Sequence, residues 1–340
     1  MSKISVLGID LGKSVIQVHG VDESGEAVVR RRLSRAKLKE FMARLEPCLV
    51  GMESGGGSQY WARLFRGYGH DARLMAPQHV KPYVKGNKTD GGDAQAVCEA
   101  VQRPTMRFVR VKTVEEQEVQ MVHRVRSRAV KERTRLVNQV RGMLLEYGIA
   151  VSRGRAQLRR RLPEVLEDGE NELTDRGRTL FAELYEEVCE LDEQVKRYDA
   201  RIEALSRADE RCRRLDEVMG VGALTASAVV AHAGDGSGFA SARHFAASLG
   251  LVPRQYSTGG KPRLLGISKR GDKYLRTLLI HCARAALRCA DKRTDRLSRW
   301  AVAVERRRGK NVAVVALANK LARIVWALLS RGTRYQPQAA

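Results

Sequence analysis

The sequence predicts an α/β first part followed by an all-α remainder. Three patterns predict it: short apolar runs alternate with helical stretches up to about residue 76, helical spacing takes over from about residue 113, and a heptad repeat runs from 184 to 205.

Taken in order, Ile4, Val6, Leu7 and Ile9 form one apolar run, Val15 to Val18 a second and Glu26 to Arg31 a third. The turn signal Asp22-Glu23-Ser24-Gly25 precedes the third, so a three-strand meander is expected. A helix over 36–45 follows. The strand Cys48-Leu49-Val50-Gly51-Met52 then ends at Glu53. A glycine-rich turn, Ser54 to Ser58, leads to a helix carrying Trp61, Leu64 and Phe65, and a last strand falls at 72–76. Beyond 113, Val119, Val122, Leu136, Val140 and Leu144 keep helical spacing. Leu184, Val188, Leu191, Val195, Tyr198, Ile202 and Leu205 then alternate steps of four and three. That repeat fits a helical hairpin within the chain or a coiled coil pairing two subunits. From Leu215 to Val230 a helix end, Gly220-Val221-Gly222 and a new helix read as a helix-hairpin-helix, whose backbone N–H groups suit a phosphate, or as an ordinary tight turn. Three parts result: 1–112, 113–206 and 207–340.

Charge narrows the function. The 340 residues hold 62 Lys and Arg against 39 Asp and Glu, a net +23. Residues 101–161 carry a local +11, 162–193 a local −10 and 240–340 a local +18. Such an excess implies a polyanionic partner, nucleic acid before an anionic membrane surface. No run of about 18 uninterrupted apolar residues exists, so no membrane span is expected. The N-terminus MSKISVLGIDLGKS has no signal-peptide pattern, and the six cysteines form no CxxC pair. A cytoplasmic protein with reduced thiols and no structural zinc is expected.

Two constellations can carry chemistry. Asp10 ends a strand in Gly-Ile-Asp-Leu-Gly-Lys, Glu53 ends another, and Asp90 and Asp93 stand three apart in Lys-Thr-Asp-Gly-Gly-Asp-Ala. If 90–102 is helical, the last two share a face. Four carboxylates so ordered suit one or two Mg²⁺ ions and follow the order of a ribonuclease-H-like nuclease. The second constellation runs from Gly250-Leu-Val-Pro-Arg through Ser257-Thr258-Gly259-Gly260-Lys261 to Ile267-Ser-Lys-Arg-Gly-Asp. Hydroxyls sit in a glycine-bounded loop between Arg254, Lys261, Arg263, Lys269 and Arg270, which suits a phosphate clamp or a nucleophile.

Together these motifs, the basic middle and the Gly220/Gly222 turn resemble the DEDD transposases of bacterial insertion sequences, the serine-dependent, bridge-RNA-guided recombinases. The likeness covers nearly the whole chain, although the acidic set is shared with RuvC-type junction resolvases. The resemblance implies a RuvC-like, RNase-H-like N-terminal domain holding Mg²⁺ through Asp10, Glu53, Asp90 and Asp93. It implies a C-terminal transposase domain whose serine bonds covalently to DNA, a noncoding guide RNA, donor and target DNA, and dimers pairing into tetramers. The site would combine the acidic domain of one subunit with the serine domain of another. The family's serine maps to Ser257, with Thr258 the gap-free alternative and Ser268 a third, read as a helix cap before Lys269. The rival readings are a Mg²⁺-dependent junction nuclease and a non-catalytic nucleic-acid-binding protein.

Overall fold

Apolar runs separated by turns build an antiparallel meander over the first 34 residues: β1 (Val6–Leu11), β2 (Val15–Val21) and β3 (Ala27–Ser34). The computed structural model describes residues 3–86 and 89–337 and divides the chain into two units, 1–113 and 114–340. In the first unit, the Ser34 hydroxyl accepts from the Lys37 N–H and starts α1 (Arg35–Arg44). Next come β4 (Leu49–Glu53), α2 (Ser58–Gly67), β5 (Asp71–Met75), a single turn α3 (Pro77–Val80), α4 (Asp90–Val101) and the two-residue β6 (Phe108–Val109). The sheet order is β3-β2-β1-β4-β5-β6, with β1, β4 and β5 parallel and β6 antiparallel to β5. This mixed sheet is consistent with an RNase-H-like domain, and β6 adds a strand beyond the five expected.

The two faces of the sheet are read from β1. Leu7 and Ile9 pack with Leu38 and Met42 of α1 and with Trp61 and Phe65 of α2. Val6 instead packs with Val97, Cys98 and Val101 of α4. Gly8 lies on that second face, where an added Cβ would stand 2.3 Å from the Ala94 carbonyl oxygen. Gly51 of β4 does the same work, since its Cβ would meet Val101 at 2.7 Å. These two glycines let α4 lie directly on the strands.

The second unit is helical: α5 (Val114–Leu145), α6 (Arg155–Glu167), α7 (Asp175–Ala208), α8 (Glu210–Asp216), α9 (Ala223–Ala233) and α10 (Ala242–Ser248). A hairpin of β7 (Pro253–Thr258) and β8 (Lys261–Ile267) interrupts it before α11 (Lys273–Arg288), α12 (Arg296–Arg308) and α13 (Lys310–Arg331). In α7 the heptad buries Val188, Val195 and Ile202 and half-buries Leu184, Leu191, Tyr198 and Leu205. The repeat packs within the chain. Leu136 and Leu144 of α5 cluster with Phe181 and Val188, and Arg133 and Arg126 reach Asp192 and Asp199 further along, so α5 and α7 run antiparallel. The helix α13 is long and apolar enough to cross a membrane. Here it is an interior helix, with Leu317, Leu321 and Val325 fully buried in the core shared with α9 and α11.

Two buried polar groups tie these helices together. The Asp192 carboxylate is fully buried and accepts from Arg133 of α5 at 2.8 Å and from Arg155 and Arg159 of α6 at 2.6 and 3.2 Å. Asp192→Ala leaves these guanidiniums without their shared acceptor, and we expect it to cost about 3 kcal/mol. Urea unfolding measures this, and a loss below about 0.5 kcal/mol, the usual size of a surface substitution, would refute the role. The second group is His123, 2% exposed, whose Nδ1 lies 3.0 Å from the Tyr274 hydroxyl and Nε2 3.0 Å from the Ser227 hydroxyl. Burial, aided by Arg126, pushes its pKa down to about 4. In the unfolded chain it titrates near 6.5. The unfolded state therefore binds more protons between those values, so stability is full above about 6.5 and falls as pH drops towards about 4, by on the order of 3 kcal/mol. His123→Gln should flatten that part of a stability–pH profile; an unchanged slope would rule out His123 as its source.

Candidate active site

The acidic residues are placed by the sheet. Asp10 is two residues past Gly8 and Glu53 two past Gly51, so both project to the α4 face. In the parallel register Gly8 pairs with Gly51 and Ile9 with Met52. Continued by one residue, it sets Asp10 beside Glu53 at the C-terminal ends of neighbouring strands, the usual place for a site in a parallel sheet. The helix α4 runs against β1: the Cys98 thiol lies 3.8 Å from the Val6 carbonyl oxygen, whereas Gly8 also meets Ala94. Its first turn, with Asp90 and Asp93, therefore comes to the end of the sheet that bears Asp10 and Glu53. There the Thr89 hydroxyl accepts from the Gly92 N–H and caps the helix. Asp10, Glu53 and Asp93 are half-buried, and Asp90 is exposed.

This donor set is all carboxylate oxygen, which suits a hard divalent cation. Among the described residues, no three His, Cys, Asp or Glu side chains are gathered closely enough to ligate one ion. The residues fit Mg²⁺ in kind and in the end of the sheet they share.

The hydroxyl-bearing run is a β-hairpin rather than the expected loop. Gly259 and Gly260 have φ of +55° and +75°, the left-handed pair of a two-residue type I′ turn, so the strands on either side pair. Ser257 faces Pro262 across the ladder, Thr258 faces Lys261 and Tyr256 faces Arg263. Opposed residues project to the same side. Lys261 and Arg263 therefore share the face of Thr258 and Tyr256. Ser257 shares the other with Gln255, whose amide Nε2 donates to the Ser257 Oγ at 2.8 Å. The strand residues from Pro253 to Gly266 are exposed.

The base of the hairpin is locked by close backbone contacts. The Ser268 and Lys269 N–H groups donate to the Val252 and Gly250 carbonyls at 2.8 and 3.1 Å. Gly250 has φ +70°, and its Cβ would be 2.2 Å from the Arg270 carbonyl oxygen; Gly271 has φ +94°, and its Cβ would meet the Ser248 oxygen at 1.7 Å. Lys269 itself has φ +54°, the sole non-glycine with positive φ among the described residues. Such strain is held in place by its surroundings; here it leaves Lys269 and Arg270 exposed at the hairpin's foot. Ser268 is not the cap of α11. Asp272 is: its carboxylate accepts from the Leu275 N–H, because the helix begins at Lys273, beyond reach of Ser268. Arg254, in the irregular start of β7, is exposed.

At the other candidate contact, Gly220 has φ +82°, and its Cβ would stand 2.4 Å from the Cys282 carbonyl oxygen. Packing against α11 demands that glycine. Gly222 precedes α9 at its N-cap and is exposed.

Comparisons with known proteins define the class. Residues 7–149 match a family model described as a transposase, and residues 212–298 match one described as "Transposase IS116/IS110/IS902 family". A "Probable family 20 transposase" of Pseudomonas aeruginosa is 53% identical over 335 residues, covering 98% of this chain and 99% of that protein. The "Transposase for insertion sequence element IS1111A" of Coxiella burnetii is 47% identical, covering 99% of this chain and 92% of that protein. For the "Transposase for insertion sequence element IS1328" of Yersinia enterocolitica, identity is 43%, with 98% and 99% covered. These matches make the protein a transposase, an enzyme that cuts and rejoins DNA. The chain belongs to the IS110/IS116/IS902 family of insertion-sequence transposases.

Proposed function

We propose that this transposase moves its insertion sequence by RNA-guided recombination in the cytoplasm, with Ser257 as nucleophile and the acidic end of the sheet as its electrostatic partner. The observation that supports it most is the register that brings Asp10, Glu53 and the first turn of α4 to one end of the sheet. In the reaction the Ser257 Oγ attacks a DNA phosphorus. One O–P bond forms as one bridging P–O bond breaks, the serine proton leaves, and the departing deoxyribose oxygen takes up a proton. A second DNA hydroxyl reverses the exchange on the new partner strand, so no outside energy source is needed. Mg²⁺ held by Asp10, Glu53, Asp90 and Asp93 would offset charge on the phosphate. Lys261, Arg263 and Arg254, with Lys269 and Arg270 at the foot, bind flanking phosphates. The turn through Gly220 and Gly222 presents the first backbone N–H groups of α9 to another.

We assign the acidic site to residues 1–112, guide-RNA binding mainly to the basic part of 113–206, and the nucleophile to 207–340. Dimers pair into tetramers, and the acidic site of one subunit works with the hairpin of another. The decisive experiment combines the protein with donor DNA, target DNA and the noncoding RNA of its own element. Protein trapped covalently on DNA supports the serine reading. Free cut ends with no adduct would replace it with a metal-activated water nuclease.

Binding should be steeply dependent on salt. Each phosphate neutralised adds about −0.9 to the log–log slope for duplex DNA and about −0.7 for single strands. Structured RNA should bind at least as well as random duplex, through shape and 2′-OH contacts. A titration between about 50 and 200 mM salt tests this, and a flat response would refute both basic regions as binding surfaces.

A further inference from the structure

A cleft of about 550 Å³ opens between the start of α12 and the C-terminal half of α13. Arg296, Lys320, Arg323 and Arg331 line it, together with the apolar side chain of Ile324 and the ring of Tyr335. Residues 320, 323, 324, 327 and 331 all lie along one side of α13, which forms the long wall. Among the described residues none of the four cations makes a salt bridge. Two acidic groups close to Tyr335 are engaged elsewhere: Asp295 with Arg293, and Glu217 with Arg334. Lys320 Nζ instead rests over the Trp300 ring, 3.8 Å from its centroid. Burial, then Arg296 and Arg323, lower its proton affinity.

Four like charges around an apolar floor repel one another until an anion enters. A bare phosphate leaves most of this volume empty, and the size falls in the range of small-ligand sites. The apolar floor and the Tyr335 ring suit the flat face of a nucleobase, and the cations suit the phosphates on either side of it. A duplex keeps its bases stacked inside and presents no such face; an unpaired strand does. We propose that this cleft holds one unpaired nucleotide of a single-stranded segment, its base against Tyr335 and Ile324 and its flanking phosphates on Arg296, Lys320, Arg323 and Arg331. Most of the cleft wall, with Tyr335, lies beyond the stretch 212–298 that matches the family model. The proposal does not rest on the acidic site or on Ser257, because binding is read without cleavage.

The test uses the full chain, with fluorescent oligouridylate, oligothymidylate and a duplex of mixed sequence as probes. Tyr335→Ala should weaken single-strand binding about tenfold, the weight of one base stacked on an aromatic ring, and leave duplex binding unchanged. Tyr335→Phe should retain binding. The pair Arg323→Ala with Arg331→Ala, both on exposed residues, should reduce the single-strand salt slope by about 1.4. A loss confined to oligouridylate assigns the cleft to RNA, and one confined to oligothymidylate assigns it to DNA. The inference is overturned if single-strand affinity is unchanged in folded Tyr335→Ala, or if duplex binding falls as much as single-strand binding. Should Tyr335→Ala not fold, the arginine pair decides by the same comparison: an unchanged single-strand slope, or an equal fall for duplex, overturns it.

Discussion

Asp10→Ala should reduce strand cleavage by at least about a hundredfold and leave the thermal unfolding transition near that of the parent chain. Asp10 is half-buried at the end of β1, past the packed stretch of Leu7 and Ile9, so truncation opens no cavity in the core. The activity loss follows from electrostatics. Asp10 would help hold a Mg²⁺ whose charge stabilisation at a phosphoryl oxygen is worth several kcal/mol, and each 1.36 kcal/mol is a factor of ten in rate. Glu53→Ala should match it, because the parallel register sets Glu53 beside Asp10. Asp90→Ala should also abolish recombination. Asp93→Ala should do least of the four, through an outer role. A strand-exchange assay with the same protein checked for guide-RNA binding separates chemistry from folding. Near-normal exchange by Asp10→Ala would end the acidic-site reading.

Much of the first unit was legible because its signals are local. Alternation over 4–32 and the apolar run at 48–52 marked four of the strands, a fifth fell at 72–76, and the strand-ending Asp10 and Glu53 stood out. The strand β6 did not, since Phe108 and Val109 are too few to carry a period; they pair only because Leu74 and Met75 present an open edge. The glycines that seat α4, Gly8 and Gly51, sit in the very runs that predicted strands, and a glycine in a strand interior is the signal of close backbone approach. In α6 the run Arg-Arg-Arg at 159–161 and Pro163 masked an amphipathic face of Leu158, Leu162 and Val165. The hairpin was hidden by composition: Ser, Thr, Gly, Pro and Lys read as loop. The Gly-Gly pair between short extended runs was the overlooked sign. Asp192 could not be found from sequence at all. It lies one residue past the heptad position Leu191, and its three arginines come from two other helices. The α12–α13 cleft is equally non-local, because its cations come from separate helices and converge only on packing.

Ser257→Ala should abolish every covalent protein–DNA product while RNA and DNA binding persist, and Thr258→Ala should keep substantial activity. The hairpin has two faces. Lys261 and Arg263 stand with Thr258, so that face is the one proposed to grip the strand; Ser257 stands on the other with Gln255, whose amide N–H already engages its oxygen. An N–H donated to Oγ leaves the serine's own proton free to depart and fixes the direction of the oxygen. A primary hydroxyl also approaches phosphorus with less crowding than a β-branched threonine, whose χ1 is restricted. Lys261→Ala with Arg263→Ala should therefore weaken DNA binding and its salt slope, by about 0.9 per phosphate contact on duplex, before it touches the chemistry of bound DNA. The alcohol remains a poor nucleophile until charge on the phosphate is offset, so the proposed mechanism ties Ser257 to the Mg²⁺ that Asp10 and its partners would hold. Mixing Asp10→Ala protein with Ser257→Ala protein tests that tie. Each is inactive alone, and if the site is composed from two subunits the mixture regains part of the activity; no rescue would confine both halves of the site to one chain. Mass spectrometry of the trapped DNA–peptide adduct reads the residue directly. An adduct on Thr258 would move the nucleophile to the cationic face, where Lys261 and Arg263 would then hold the very phosphate under attack.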